Sequence, residues 1–257
     1  MTNELRTRTV VGLILVAVAV GALWIGGFPF WLLLVVAGVL MQGEWGNLVG
    51  ASEQQRKLAM YAVSFPLAIL CPWAAGVSWL AFAFAAAAFF FVLLAARSFA
   101  LALGVIYVCV PVMALLLLRG QPDGQGLLLA FWALALVWAT DIGAYFAGRS
   151  IGGPKLAPRV SPSKTWAGLA GGVLAALVIG FLLHRFACLP IQLAAASGLL
   201  AVAAQLGDLL ESWMKRRAGV KDSSNLLPGH GGVMDRLDGV VAAAPLAAAL
   251  FLLAGAA

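Results

Sequence analysis

Residues 126–150 read GLLLAFWALALVWATDIGAYFAGRS. From Gly126 to Gly148 the run is long enough to cross a bilayer core about 30 Å thick, which takes roughly 20 residues of helix. It carries one acid, Asp141. An acid inside a membrane helix costs about 2.5–3.5 kcal/mol on insertion scales, so it needs a reason to be there.

Working outward, the same kind of run recurs along the chain. Of the 257 residues, 63% are hydrophobic and 10% charged, with a mean hydropathy of +1.02. Soluble domains carry about 25% charged residues, so this composition belongs to an integral membrane protein. Apolar runs at 9–27, 28–49, 58–75, 77–96, 99–118, 126–148, 166–188, 190–214 and 239–256 predict nine transmembrane helices, an all-α polytopic membrane bundle. The basic start and apolar run at the N-terminus read as a retained first helix, since so many further runs follow it. Cys71, Cys109 and Cys188 stand in apolar context without metal-ligand spacing and read as packing residues.

Loop charges set the expected orientation, because Lys and Arg accumulate on the cytoplasmic side. With a cytoplasmic N-terminus and nine spans, Arg119 and Arg185 alone of the 16 Lys and Arg fall on the far side. Two long polar loops, 149–165 and 215–238, then face the cytoplasm. The expected organisation is a set of N-terminal transmembrane helices over 1–125 and a C-terminal transmembrane region over 126–257 that carries both long polar loops. The net charge of +6 and pI near 9.7 point to anionic lipid or phosphate. No basic, aromatic-interleaved patch outside the spans suggests nucleic acid, so none is expected as a partner.

The second intramembrane acid is Asp208, in AAQLGDLLESWMKRR. Asp208, Glu211, Ser212 and Lys215 fall at i, i+3, i+4 and i+7 and share one helix face, with Gln205 on its shoulder. Asp208 lies seven positions before Lys215 and Asp141 seven before Gly148, so each sits about 10 Å in from its helix end. The two helices run the same way, which puts the carboxylates at one depth, consistent with a common cavity. The plainer alternative is that each Asp pairs with a Lys or Arg to join helices.

Polar residue types in 215–238 suit phosphate and metal chemistry. Lys215, Arg216, Arg217 and Lys221 neutralise phosphate oxygens, Gly229, Gly231 and Gly232 let backbone N–H groups approach an anion, and Asp235 and Asp238 are hard oxygen ligands. Taken singly, Lys215–Arg217 is also a positive-inside anchor, Asp238 a helix cap and His230 an ordinary loop hydrogen-bonder. The other loop, GRSIGGPKLAPRVSPSKTWAG, lacks the spacing and preceding strand of a P-loop. Its Ser163, Lys164 and Thr165 stand at the start of the next helix, as an anion site or as a simple N-cap.

SWMKRRAGVKDSSNLLPGHGGVMDRLD, residues 212–238, resembles the motif of the phosphatidate cytidylyltransferases (CDP-diacylglycerol synthases): S-x-x-K-R-x-x-x-x-K-D, a short spacer, P-x-H-G-G, then D-R-x-D. QLGDLLES, DIGAYFAGR and SPSKTWAG are also similar to that family, so the likeness is strong over 138–239, whereas 1–125 agrees only in being helical membrane sequence. The resemblance implies an enzyme that joins CTP to phosphatidic acid, giving CDP-diacylglycerol and pyrophosphate, with Mg²⁺ and a second cation such as K⁺. It implies Asp208 and Asp235 as metal ligands. Asp141 and Lys221 join these two as candidate catalytic residues. Ser163, Lys164, Thr165, Ser212, Lys215, Arg216, His230, Gly231, Gly232, Arg236 and Asp238 are then candidates for substrate binding. It places the protein in a cell membrane, a bacterial inner membrane, with the site facing the cytoplasm. The lipid phosphate is already ionised at neutral pH, so no dedicated general base is expected. Glycine runs such as GLAGG would pack helices within one chain or between the two of a homodimer. A polyprenol or phytol kinase is the nearest rival, and a transporter would need polar residues continuing to the far face. A CDP-alcohol phosphotransferase would need a D-G-x-x-A-R run, which is absent.

Overall fold

The computed structural model describes residues 3–122, 124–227 and 229–255, with side chains from residue 9 onward. The side chains of Arg6 and Arg8 and the motif's Pro228 lie outside the described residues. Among these residues the chain forms nine helices: α1 (Asn3–Ile25), α2 (Gly27–Leu48), α3 (Glu53–Ile69), α4 (Trp79–Ala96), α5 (Phe99–Arg119), α6 (Gln125–Ser150), α7 (Trp166–Ala187), α8 (Ile191–Arg217) and α9 (Met234–Gly255). Each corresponds to one of the nine predicted spans. Seven of them, α2 and α4 to α9, are long and apolar enough to cross a membrane. Of the other two, α3 has 17 residues and opens on the polar run EQQRK, and α1, 23 residues long, is apolar over Thr9–Ile25, where its side chains are described.

Large apolar side chains remain on the outside, with Trp79 90% and Phe186 77% exposed. Water would penalise that surface, whereas lipid does not, so the chain is a multi-pass membrane protein.

Local chemistry explains where the helices start and stop. Ser52 and Gln55 form a reciprocal capping box at the start of α3, at 3.0 and 3.3 Å. Gly26 separates α1 from α2 with φ of 70°, a left-handed conformation that glycine adopts without steric cost. Arg119 then donates to two carbonyls at the end of α1, Leu23 O at 2.8 Å and Trp24 O at 3.0 Å.

One departure from an all-helical chain is a small antiparallel hairpin, β1 (Lys155–Ala157) with β2 (Ser161–Thr165). Ser163 and Lys164 therefore stand on a strand rather than in a helix N-terminus. Thr165 alone is the N-cap of α7, its Oγ1 accepting from Gly168 N at 3.0 Å.

The chain divides into two compact units. One holds α1 to α5 with the segment Arg217–Leu237; the other holds α6, the hairpin, α7, α8 up to Arg216, and the chain from Asp238 onward. In the first unit, Trp31 Nε1 reaches Leu67 O at 2.9 Å and Trp45 Nε1 reaches Ala100 O at 2.8 Å, tying α2 to α3 and α5.

The second unit is closed by small residues. A Cβ placed on Gly143 would lie 2.6 Å from Gly171 O, and one on Gly172 would lie 2.9 Å from Thr140 O. The glycines of GLAGG thus seat α7 directly on α6 within one chain. A Cβ on Gly207 would meet Asp238 O at 2.5 Å, and one on Gly239 would lie 3.4 Å from Ala204 Cβ, so α8 and α9 approach in the same way. Buried Trp132 donates to Ser197 Oγ at 2.9 Å, joining α6 to α8.

Candidate active site

Close seating of α6, α7 and α8 leaves a cavity of about 310 Å³ at the hairpin end of the second unit. Asp141 of α6, Ser163 and Lys164 of β2, Thr165, and Gln205 and Asp208 of α8 line it. The two intramembrane acids therefore share one cavity. Lys164 Nζ lies 2.5 Å from Asp208 Oδ2, with the two side chains 15% and 29% exposed. Ser212 Oγ donates to Asp208 Oδ1 at 3.3 Å. Asp141 and Asp238 are both close enough to Asp208 to feel its charge.

One turn further along α8, Glu211 is fully buried and accepts from Lys215 Nζ at 3.2 Å. The helical spacing of the stripe is thus realised as a ladder of acid and cation. Arg216 reaches back to the hairpin, Nε to Val160 O at 3.5 Å. The helix-joining alternative holds in part, since Asp208 does pair with a lysine. That lysine comes from a hairpin beside an open cavity, however, not from the middle of another helix.

In the first unit, the segment after α8 is organised around two carboxylates. Asp235 Oδ2 accepts from Ser223 N at 2.9 Å, Ser223 Oγ at 2.9 Å and Gly232 N at 2.7 Å. Glu44, 4% exposed on α2, accepts from Ser224 Oγ at 2.6 Å, Val233 N at 2.9 Å and Met234 N at 2.7 Å, and shares with Asp235 the single proton of Ser223 Oγ, 3.1 Å away. The last two amides are free N–H groups at the start of α9, where a carboxylate is stabilised both by hydrogen bonding and by the helix dipole. Asp235, expected on a loop running to 238, instead lies in the first turn of α9. That helix begins four residues before Asp238, where Glu44 satisfies its leading donors and Asp235 holds the Gly232 amide just ahead of it.

Gly231 and Gly232 lie close against two anions that belong to the protein itself. Gly231 has φ of 76°, and a Cβ there would sit 2.8 Å from Asp235 Oδ2; the same atom on Gly232 would sit 2.5 Å from Glu44 Oε1. Arg236 donates to His230 O through Nε at 2.8 Å and Nη2 at 2.6 Å. The His230 ring packs on α1, its Nε2 3.0 Å from where a Cβ on Gly12 would be. Lys221 is exposed. Asp208 and Asp235, paired by the family resemblance, belong to different compact units.

The family model described as "Cytidylyltransferase family" matches residues 6–254, nearly the whole chain. The chain belongs to the cytidylyltransferase family. Among its relatives, the phosphatidate cytidylyltransferase of Brucella suis is 39% identical over 95% of this chain and 92% of its own length. That of Pseudomonas aeruginosa is 38% identical over 98% of both. That of Bacillus subtilis is 50% identical over 45% of this chain and 44% of its own length. The likeness to the first two runs through the N-terminal helices as well, which the motif resemblance did not reach.

The sequence reading missed Glu44, together with Ser223 and Ser224. The signal was available: Glu44 is an acid inside the predicted span 28–49, and the rule that singled out Asp141 and Asp208 applies to it equally.

Proposed function

We propose that this cytidylyltransferase condenses CTP with phosphatidic acid at the cytoplasmic face of a bacterial inner membrane, releasing pyrophosphate and leaving CDP-diacylglycerol in the bilayer. The relatives' names support the substrates. The observation that carries the site is the cavity in which Asp141, Asp208 and Lys164 meet, on membrane helices but next to the polar hairpin. Such a place suits a lipid whose tails stay in hydrocarbon while its phosphate meets a water-borne nucleotide.

In the reaction, an oxygen of the lipid phosphate forms a bond to the α-phosphorus of CTP. The bond from that phosphorus to the bridging oxygen of the β-phosphate breaks, and the electron pair leaves with pyrophosphate. No proton has to be removed from the attacking oxygen, so no side chain is needed as a general base. The task is to hold two polyanions together in line, which positioning and charge neutralisation accomplish. Lys164, Lys215, Arg216 and Lys221 supply positive charge, and Ser163, Ser212 and Thr165 supply hydroxyl groups. His230, Arg236 and the glycines hold the segment before α9 in shape. Paired with Asp208, Lys164 is kept extended toward the cavity.

Magnesium, which the family implies, fits the donor set of the second unit. Two carboxylates and the Gln205 amide line one small cavity, and hard oxygen donors of this kind suit that ion. Asp208 and Asp141 would hold it there; Asp235 is a ligand by resemblance alone. When bound, the ion supplies neutralisation of phosphate charge.

The test uses purified protein in phosphatidic acid-containing nanodiscs, given CTP labelled in either the α or the γ phosphate, with and without Mg²⁺. Label from the α position in the lipid product, with pyrophosphate released, supports the reading. Label from the γ position would make the protein a lipid kinase and overturn it.

A further inference from the structure

Within the first unit, a second cavity of about 650 Å³ opens between the end of α2, the start of α3 and the segment 224–226. Its wall includes Asn47, Arg56, Ser224 and Asn225. Glu44 also lines it, with both carboxylate oxygens already engaged by the four donors described above. Arg56 is half-buried, and its stem packs on Gly46, where a Cβ would stand 3.0 Å from Arg56 Cγ. Its guanidinium hydrogen-bonds the neutral Asn47 side chain, and among the described residues no acid forms an ion pair with it. Neighbouring Lys57 is different: it is exposed and paired with Glu53 at 2.6 Å.

A third cavity, about 670 Å³, shares Lys57 and Tyr61 with this one and continues it along the outside of the unit. Its lining is almost entirely apolar and comes from two matching stripes. Leu58, Tyr61, Ala62 and Phe65 recur at i, i+3, i+4 and i+7 on α3, and Phe84, Ala87, Ala88 and Phe91 do the same on α4. Ala62 and Ala88 are buried, whereas Tyr61, Phe65, Phe84 and Phe91 stand exposed around them. From Arg56 to Phe65 the groove runs about 14 Å at 1.5 Å per residue. A half-buried cation without a carboxylate partner stands at one end of a continuous groove, and an apolar trough at the other. That pairing matches one ligand shape, an anionic head on an apolar tail.

We propose that the first unit binds one anionic phospholipid of the surrounding bilayer. Its phosphate sits on Arg56 and the Asn47 amide, and an acyl chain lies in the trough between Phe65, Phe84 and Phe91. Because Ser224 and Asn225 line the head-group end, the bound lipid also presses on the segment that Glu44 and Asp235 organise. This inference is independent of which nucleotide or lipid is consumed in the transfer reaction.

Native mass spectrometry of the full-length protein released from mixed phosphatidylglycerol and phosphatidylcholine nanodiscs tests it directly, with no turnover involved. The wild-type protein retains one phosphatidylglycerol in preference to phosphatidylcholine. Arg56→Gln reduces that preference about tenfold, the worth of one charge-assisted hydrogen bond. Exposed Ala87→Trp fills the trough without touching Arg56 and lowers retention of either lipid, so the proposal stays testable if Arg56→Gln does not fold. Equal retention of the two lipids by the wild type, unchanged retention in the folded variants, or a second copy of the chain held in place of lipid would each overturn it.

Discussion

Replacing Glu44 by Gln changes almost nothing in volume, yet it should loosen the segment from Ser223 to Met234. Each Glu44 oxygen faces one serine hydroxyl and one backbone N–H: Ser224 and Val233 on Oε1, Ser223 and Met234 on Oε2. An amide keeps one oxygen and turns the other into an NH₂ donor. A serine hydroxyl facing that NH₂ rotates and accepts from it, but a backbone N–H cannot, so either Val233 N or Met234 N loses its partner. Leaving one buried donor unsatisfied costs about 1–3 kcal/mol. Removing negative charge from the α9 N-terminus costs a further 0.3–1 kcal/mol or so. The total, about 3 kcal/mol, corresponds to roughly a hundredfold rise in the open population of this segment, at about 1.4 kcal/mol per factor of ten. Hydrogen–deuterium exchange followed by mass spectrometry reads this directly. Peptides spanning 223–238 should exchange about a hundredfold faster in Glu44→Gln, while those from α6 and α7 stay unchanged. Cytidylyl transfer should fall alongside, because His230 and Arg236 lie within 223–238 and Lys221 stands just before it. Unaltered exchange across 223–238 in a folded Glu44→Gln protein would refute the anchoring role assigned to Glu44, whatever happened to turnover.

Lys164→Met leaves Asp208 without its counter-charge and removes a phosphate partner, so turnover should fall about 10²–10³-fold, the usual worth of one preorganised electrostatic contact. Lys155→Met, an exposed cation on the partner strand, serves as the control, and equal loss in both would mean that only total charge matters. Thr165→Ala removes the α7 cap and should cost about 1 kcal/mol of stability, measured by thermal unfolding, whereas Thr165→Ser keeps the cap and should cost much less. Should Thr165→Ser instead lose activity as severely as Thr165→Ala, the methyl group would have a role in substrate binding that capping does not explain.

Much of the helical framework was legible because length and apolarity decide it. All nine predicted runs became helices, and the shared depth of Asp141 and Asp208 followed from helical rise and a common direction. The hairpin was not legible. Its strands have three and five residues, in a segment punctuated by Pro154, Pro158 and Pro162, and such short pairing leaves no period to read. The extent of α9 also escaped the sequence, since GVMDRLDG has no strong apolar pattern and its helix start is set by a carboxylate on α2. Gly231 and Gly232 were recognised as glycines that admit an anion. Which anions they would meet depended on Glu44 and Asp235, and that meeting of α2 with the start of α9 is a tertiary fact.

Glu44 and the amides that satisfy it are 189 and 190 residues apart in the chain. At a synthesis rate of about 5–20 residues per second, the carboxylate leaves the ribosome some ten to forty seconds before Val233 and Met234. The N-terminal helices must therefore enter the bilayer with an acid still waiting for its donors, and the first unit is completed only when the last helix arrives. A chain interrupted before α9 would be left with the Glu44 carboxylate near the end of α2 lacking the Val233 and Met234 amides that satisfy it in the finished protein.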